Sequence, residues 1–108
     1  MASAPRLHWT RGRLEDGARA LEWIGLDDAG TARARVVRVL GPWRTGWRLY
    51  RAVALDEQAR VVELRPAMAE RATWLVVVGG QVIGRARVPL AAMRRAEAAL
   101  AGAAEGAV

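Results

Sequence analysis

The sequence predicts an α+β fold: an antiparallel β-meander of about six strands, strongly curved or barrel-like, followed by one C-terminal amphipathic helix. Two observations lead to this prediction. Short runs rich in Val, Trp, Tyr, Leu and Arg alternate with turn-forming clusters over most of the chain. From Pro89 onward the spacing of apolar residues lengthens to three and four. The 108 residues fit a single domain, with flexible termini expected at about 1–6 and 105–108.

Turn-type clusters at 27–30, 41–46, 56–59 and 79–80 separate the predicted strands. The strands are expected at about Ala18 to Leu26, Thr31 to Leu40, Trp47 to Leu55, Arg60 to Arg65, Thr73 to Val78 and Gln81 to Val88, with a further short strand near Leu7 to Thr10. The Gly79-Gly80 pair is typical of a two-residue hairpin turn, because both central residues of such a turn can require a positive φ.

Alternation along each strand predicts which face is buried. In Trp47 to Leu55 the better core face contains Trp47, Leu49, Arg51, Val53 and Leu55. In Thr31 to Leu40 the apolar pattern changes phase, which predicts a bulge or a bend. In Gln81 to Val88 the predicted core face has small side chains, which leave room for a helix or for a cavity.

The last segment reads as an amphipathic helix. Its apolar positions recur at helical spacing: Leu90, Met93, Ala96, Leu100 and Ala104. Pro89 suits the first helical turn because its missing N–H has no partner to lose there. Gly102 or Gly106 is expected to end the helix.

Composition excludes several classes of function. The chain has no cysteine and a single histidine, His8, which we expect to be exposed near the N-terminus. Thiolate metal sites, disulfide scaffolds and a serine–histidine triad are therefore not expected. We expect no enzymatic activity, metal or cofactor. The uncharged run from Trp74 to Gly84 is too short to span a bilayer, and residues 1–8 lack the apolar run of a signal peptide, so a cytoplasmic protein is expected.

The formal net charge is +6, and arginine supplies every basic residue. The absence of lysine and asparagine is typical of a GC-rich genome, so the basic charge alone is a weak indication of nucleic-acid binding. It would nevertheless attract phosphates or anionic head groups at low salt.

Part of the chain resembles the N-terminal half of the bacterial glycolipid-binding proteins. The residues that carry the resemblance are Trp9, the segment from Gly17 to Glu22, Tyr50-Arg51 followed by Asp56, and the strand 60–64. It covers roughly residues 9 to 65. The resemblance implies a curved sheet around an apolar ligand. The chain is shorter than that family's members, and its helix comes where further strands would be expected.

Our first hypothesis is a non-enzymatic binding domain for an apolar or amphiphilic small molecule of glycolipid type. The candidate ligand-binding residues are Trp43, Arg44, Trp47, Tyr50, Arg51 and Trp74. Trp43 lies in the predicted loop 41–46, where it either forms a lip that stacks on a ligand or folds back onto the core. Arg51 shares a predicted face with apolar residues, so we expect it to pair with Glu22 inside the sheet.

The alternative hypothesis is a single-stranded nucleic-acid-binding module that uses arginine and tryptophan. Its candidate basic face consists of Arg33, Arg35, Arg48, Arg85 and Arg87. The same arginines are also explained as solvated outer positions whose stems cover apolar surface, which is the favoured interpretation. A homodimer or a purely partner-binding subunit is a third possibility.

Overall fold

The computed structural model describes residues 6–39, 43–67 and 74–106. In these residues the strands are β1 (His8–Arg11), β2 (Glu15–Asp16), β3 (Arg19–Ala20), β4 (Glu22–Leu26), β5 (Ala32–Arg38), β6 (Trp43–Thr45), β7 (Arg48–Leu55), β8 (Val61–Ala67), β9 (Trp74–Val78) and β10 (Gln81–Ala86), and the helix is α1 (Pro89–Gly106). The predicted α+β class, the curved antiparallel sheet and the C-terminal helix are confirmed.

Eight strands form the main sheet, in the order β1-β4-β5-β9-β10-β7-β6, with β8 on the other side of β7. This order corrects the simple succession expected of a meander, because β9 and β10 lie between β5 and β7. The small β2–β3 hairpin stands apart from the main sheet and turns at Gly17. Within the described ranges the sheet curves but does not close into a barrel.

One face of the sheet is covered by α1. The helix packs through Ala92 and Ala96, both fully buried, onto a layer formed by Ala34, Val36, Trp74, Val76 and Ala86. Because alanine carries only one methyl group, the helix backbone approaches the strands closely. The small residues at 84 and 86 therefore make room for a helix, one of the two outcomes expected from the sequence.

The opposite face of the sheet has a second apolar cluster. Its buried members are Val37, Ala52, Leu55, Leu75 and Val77. It brings β7 together with the central pair β5–β9, although β7 does not pair with either strand. Arg35 also reaches across, since its Nη1 donates to the carbonyl oxygen of Asp56 in the β7–β8 turn at 3.3 Å. The curved sheet thus wraps around its own interior.

Bulges change which residues face the core. On β7, register shifts beside Ala54 place Ala52 and Leu55 in one apolar cluster, while Arg51 is exposed. The predicted core face of β7 was therefore wrong for Trp47 and Arg51 and right for Leu55. On β10, a shift between Val82 and Gly84 divides the face that the sequence presents as continuous.

The predicted two-residue hairpin turn at 79–80 is present, whereas the predicted loop 41–46 differs from the structure. Gly79 and Gly80 have φ values of 59° and 79°, and Val78 pairs with Gln81, as predicted. The predicted loop 41–46 instead contains strand β6, and the turn lies at Gly46–Trp47. Residues 40–42, at the start of that predicted loop, lie outside the described residues.

The contact between helix and sheet can be tested by overpacking. We expect Ala96→Leu to lower the free energy of unfolding by about 1–3 kcal/mol, because there is no space for three more carbon atoms between α1 and the sheet. Ala99→Leu is the matched control on the exposed side of the same helix and should change it by less than about 0.5 kcal/mol. Urea denaturation of both variants measures the difference, and equal effects would contradict this packing.

The β7–β8 turn makes a prediction about pH. Asp56 Oδ1 accepts the backbone N–H groups of Gln58 and Arg60 at 2.9 and 2.8 Å, and Oδ2 accepts Arg60 Nε at 2.9 Å. The bond from the Arg60 backbone N–H, helped by the Arg60 guanidinium, holds the pKa of Asp56 below its ordinary value of 3.8. A lowered pKa means that the ionised carboxylate stabilises the fold at neutral pH, and that this contribution disappears as the pH falls through the folded-state pKa.

We therefore expect Asp56→Asn to destabilise the protein at neutral pH and to match the parent chain increasingly closely as the pH drops below 3.8. Denaturation at a series of pH values measures this convergence. Asp28→Asn, at an exposed carboxylate, is the control and should give a smaller difference. A gap that widens in acid would refute the assignment.

Candidate functional site

Of the predicted ligand-binding residues, Trp47, Tyr50, Arg51 and Trp74 line none of the three hollows found among the described residues. Trp74 is buried in the layer under α1, which is the core role rather than the ligand role. Trp47 lies at the β6–β7 turn with its side chain fully in solvent. Tyr50 and Arg51 both lie on β7, where Tyr50 is half-buried and Arg51 is exposed.

Trp43 and Arg44 belong to strand β6 and not to a loop. In the register of the β6–β7 pair, Trp43 lies opposite Tyr50 and Arg44 lies opposite Leu49. The hypothesis of a loop lip is therefore corrected: the two positions are held by a strand ladder.

The buried charge predicted for the sheet interior exists, but with a different arginine. Glu22 is 4% exposed, and its Oε2 accepts Arg35 Nε at 2.9 Å and also contacts Arg35 Nη2. Its Oε1 accepts the backbone N–H of Arg13 at 2.9 Å. Arg51 lies exposed on β7, so the predicted Glu22–Arg51 pair was wrong.

Position 12, beside this ion pair, has room only for glycine. A Cβ atom at position 12 would lie 2.1 Å from Glu22 Oε1, which is closer than any side chain can approach. Both carboxylate oxygens of Glu22 are therefore occupied inside a tight enclosure. A small hollow of about 290 Å³ adjoins it, lined by Arg13, Leu14, Glu22, Arg35, Glu57 and Gln58. The mutual pairing of Glu22 and Arg35 gives this hollow a structural role and leaves neither group to bind a ligand.

Three of the five arginines of the predicted nucleic-acid face have local partners in the structure. Arg33 Nη1 lies 3.7 Å from Asp27 Oδ2, Arg35 pairs with Glu22, and Arg85 Nη2 donates to the Ala52 carbonyl at 2.5 Å. Arg48 and Arg87 are exposed at the start of β7 and just beyond β10. Three of the five arginines are thus engaged by groups of the fold itself.

A groove of about 460 Å³ lies between the edge strand β1 and the helix α1. We call it the β1–α1 groove. Its lining combines apolar side chains with two arginines and one carboxylate: Arg6, Leu7, Trp9, Leu90, Met93, Arg94, Glu97 and Ala98. The helical residues recur at spacings of three and four, so they form one stripe of α1 facing β1.

Glu97 fixes the edge strand to the helix across this groove. Its Oε2 accepts the backbone N–H of Leu7 at 2.7 Å and approaches Trp9 Nε1 at 3.4 Å. Leu7 immediately precedes the edge strand β1 and has no partner in the β1–β4 register, so the Glu97 carboxylate supplies the acceptor for its N–H. The carboxylate is thus already engaged, while Arg6 and Arg94 are exposed at the groove.

Gly25 allows the groove to have an apolar floor. Trp9 lies opposite Gly25 in the β1–β4 register. A Cβ at position 25 would lie 2.8 Å from Leu7 Cδ1 and 2.9 Å from Trp9 Cη2. The missing side chain lets Leu7 and Trp9 lie flat over β4.

The described residues show neither a metal-binding cluster nor a helix able to cross a bilayer. No three His, Cys, Asp or Glu side chains in the described ranges converge as metal ligands would. None of the helical residues that can be described forms a segment long and apolar enough to span a membrane. His8 is exposed and lies 3.2 Å from Asp28, as expected for a surface histidine.

Comparisons of the chain with protein-family models, with curated proteins and with solved structures find no match.

The Glu22–Arg35 pair makes a double-mutant prediction. Glu22→Leu leaves the Arg35 guanidinium half-enclosed without its partner, so we expect a loss of about 3–5 kcal/mol in the free energy of unfolding. Replacing both residues, as Glu22→Leu with Arg35→Met, should recover much of that loss because no uncompensated charge remains. Glu63→Leu, in an exposed pair with Arg65, is the control and should cost under about 1 kcal/mol. Additive effects of the two buried substitutions would show that the pair is not coupled.

Proposed function

We propose that this protein is a non-enzymatic binding domain for an amphiphile with one alkyl chain and an anionic end, held in the β1–α1 groove. The observation that carries the proposal is an apolar floor with two exposed guanidinium groups beside it. The proposal keeps the ligand class that the resemblance to glycolipid-binding proteins implies. It moves the site from β6–β7 to the opposite side of the fold.

The shape of the groove suits a chain-like apolar group. Small-molecule sites usually have volumes of about 300–1,000 Å³ and apolar walls with a few polar groups. The groove has a volume of about 460 Å³. Leu90, one of its lining residues, is 57% exposed and therefore leaves apolar surface unburied there. An alkyl chain laid along Leu7, Trp9 and Met93 would cover that area and gain the corresponding hydrophobic free energy.

The charges favour an anionic end over a cationic one. Arg6 and Arg94 contribute two positive charges to the lining, against one negative charge from Glu97. Glu97 already accepts the Leu7 N–H and so has less capacity for another donor. A carboxylate or a phosphate would give the two guanidinium groups the acceptor that their geometry matches.

Binding of sodium dodecanoate, measured by isothermal titration calorimetry below its micellar concentration, tests the proposal. Arg94→Gln should weaken binding of dodecanoate about fivefold, because a partly exposed ion pair contributes up to about 1 kcal/mol. It should leave binding of the uncharged dodecyl maltoside unchanged. Leu90→Asp should weaken both about tenfold or more, because it places a carboxylate against the alkyl chain.

Two matched controls lie on the same helix. Arg95→Gln removes the same charge at the next position, and Ala99→Asp adds the same carboxylate on an exposed position that does not line the groove. Both should bind dodecanoate like the parent chain. Absence of dodecanoate binding, or equal losses in the groove variants and their controls, would refute the site.

A further inference from the structure

The end of the sheet opposite the helix contact is unusually exposed. We define the β-arm as β6, residues 48–51 of β7 and residues 62–67 of β8. Five consecutive residues of β8, from Val62 to Pro66, are exposed, so both faces of this strand contact solvent. The Trp47 side chain, at the turn that joins β6 to β7, is as exposed as in an extended peptide, at 101%.

An indole in this position has no role in the fold. Tryptophan is highly buried on average, and here its exposure is accompanied by that of Val62 and Leu64 in the same β-arm. Gly46 precedes it with a φ of 62°, so the turn geometry is satisfied by the glycine and does not require tryptophan. Trp47 can therefore be replaced without disturbing the core.

The arm also concentrates positive charge. Between Trp43 and Leu55 the sequence has three arginines and no acidic residue. Arg51 lies directly opposite Arg65 in the β7–β8 register, an arrangement that like charges disfavour unless an anion lies nearby. Arg65 has Glu63 at 3.8 Å, whereas Arg48 and Arg51 form no salt bridge with the described part of the chain.

We infer that the end of the β-arm at the β6–β7 turn docks on an anionic lipid surface, with Trp47 entering the interface and with Arg48 on one face of β7 and Arg51 and Arg65 on the other. Tryptophan is the side chain that concentrates at membrane–water interfaces, because its ring is apolar and its N–H polar. Arginines near an anionic leaflet are attracted to it by its surface potential. The interaction is peripheral, because it involves only side chains of the β-arm.

The position of the indole favours a lipid surface over a single nucleic-acid strand. Single-stranded nucleic acids bind to grooves where several aromatic rings stack on successive bases. Here the fully exposed ring is at a turn between β6, the last strand in the sheet order, and β7. A single ring at a turn can enter a flat interface, while arginines on the strands behind it are attracted to the anionic surface. The inference does not depend on the β1–α1 groove, since the two sites share no residue.

Vesicle sedimentation tests the inference. We expect the chain to bind vesicles of phosphatidylcholine with 30% phosphatidylserine at moderate salt and to bind pure phosphatidylcholine at least about tenfold more weakly. Trp47→Ala should lower the partition coefficient about tenfold, the effect of losing one buried aromatic group. Arg48→Gln with Arg51→Gln should lower it about 25-fold, at about fivefold per arginine.

The matched control removes the same charge elsewhere. Arg19→Gln with Arg87→Gln changes two exposed arginines outside the arm and should reduce binding by less than about threefold. Far-ultraviolet circular dichroism and melting temperature should be unchanged for Trp47→Ala, which separates a docking defect from a folding defect.

Three results would overturn the inference. The first is no binding to the anionic vesicles. The second is equal loss in the arm variant and the control, which would indicate non-specific attraction by net charge. The third is a Trp47-dependent affinity for an oligothymidylate that exceeds the affinity for vesicles, which would assign the tip to nucleic acid.

Discussion

The burial of both faces of the β5–β9 pair is the constraint on which the rest of the structure depends. Val36 pairs with Val76 on the helix side, and the next pair, Val37 with Leu75, lies on the other side; all four are almost completely buried. Successive residues of a strand point to opposite faces, so each face of this pair needs its own cover. The helix supplies one cover. The chain between β5 and β9 supplies the other, and its far end extends beyond the covered region as the β-arm.

Local patterns in the sequence predicted the elements well, and the pairing of distant ones poorly. The glycine pair at 79–80 and the helical spacing after Pro89 act within a few residues, and both predictions are confirmed. The phase change in Thr31 to Leu40 predicts a bulge or a bend, and the register does shift near Arg33. Val36 and Val37 are both buried because β5 is central and covered on both faces. No local pattern in the sequence indicates that β9 pairs with β5, because the paired residues are about forty positions apart in the chain.

The β1–α1 groove could not be predicted from the sequence for a related reason. The β1–α1 groove is built from the two ends of the chain, and the bond from Leu7 to Glu97 joins residues 90 positions apart. The sequence contains a usable signal only on the helix, where Leu90, Met93, Arg94 and Glu97 share a stripe that a helix lying on a sheet would leave at its margin. The buried acid Glu22 was recognised, but its partner was assigned by strand parity, and the bulge in β7 makes parity unreliable there.

The junction between β7 and the main sheet has a consequence for how the protein moves. Gln81 and Ala54 form the one ladder pair between β7 and β10 in the described chain, joined by the Leu55 N–H bond to Gly80 O. By contrast, β5 pairs with β4 and with β9 over four or more successive positions in the layer covered by the helix. Amide protons of β6 and β8 are thus expected to exchange with solvent through local opening, while those of β5 and β9 exchange only on global unfolding. The outer strands β6 and β8 can therefore open locally, while β7 stays packed over the β5–β9 pair through Ala52 and Leu55.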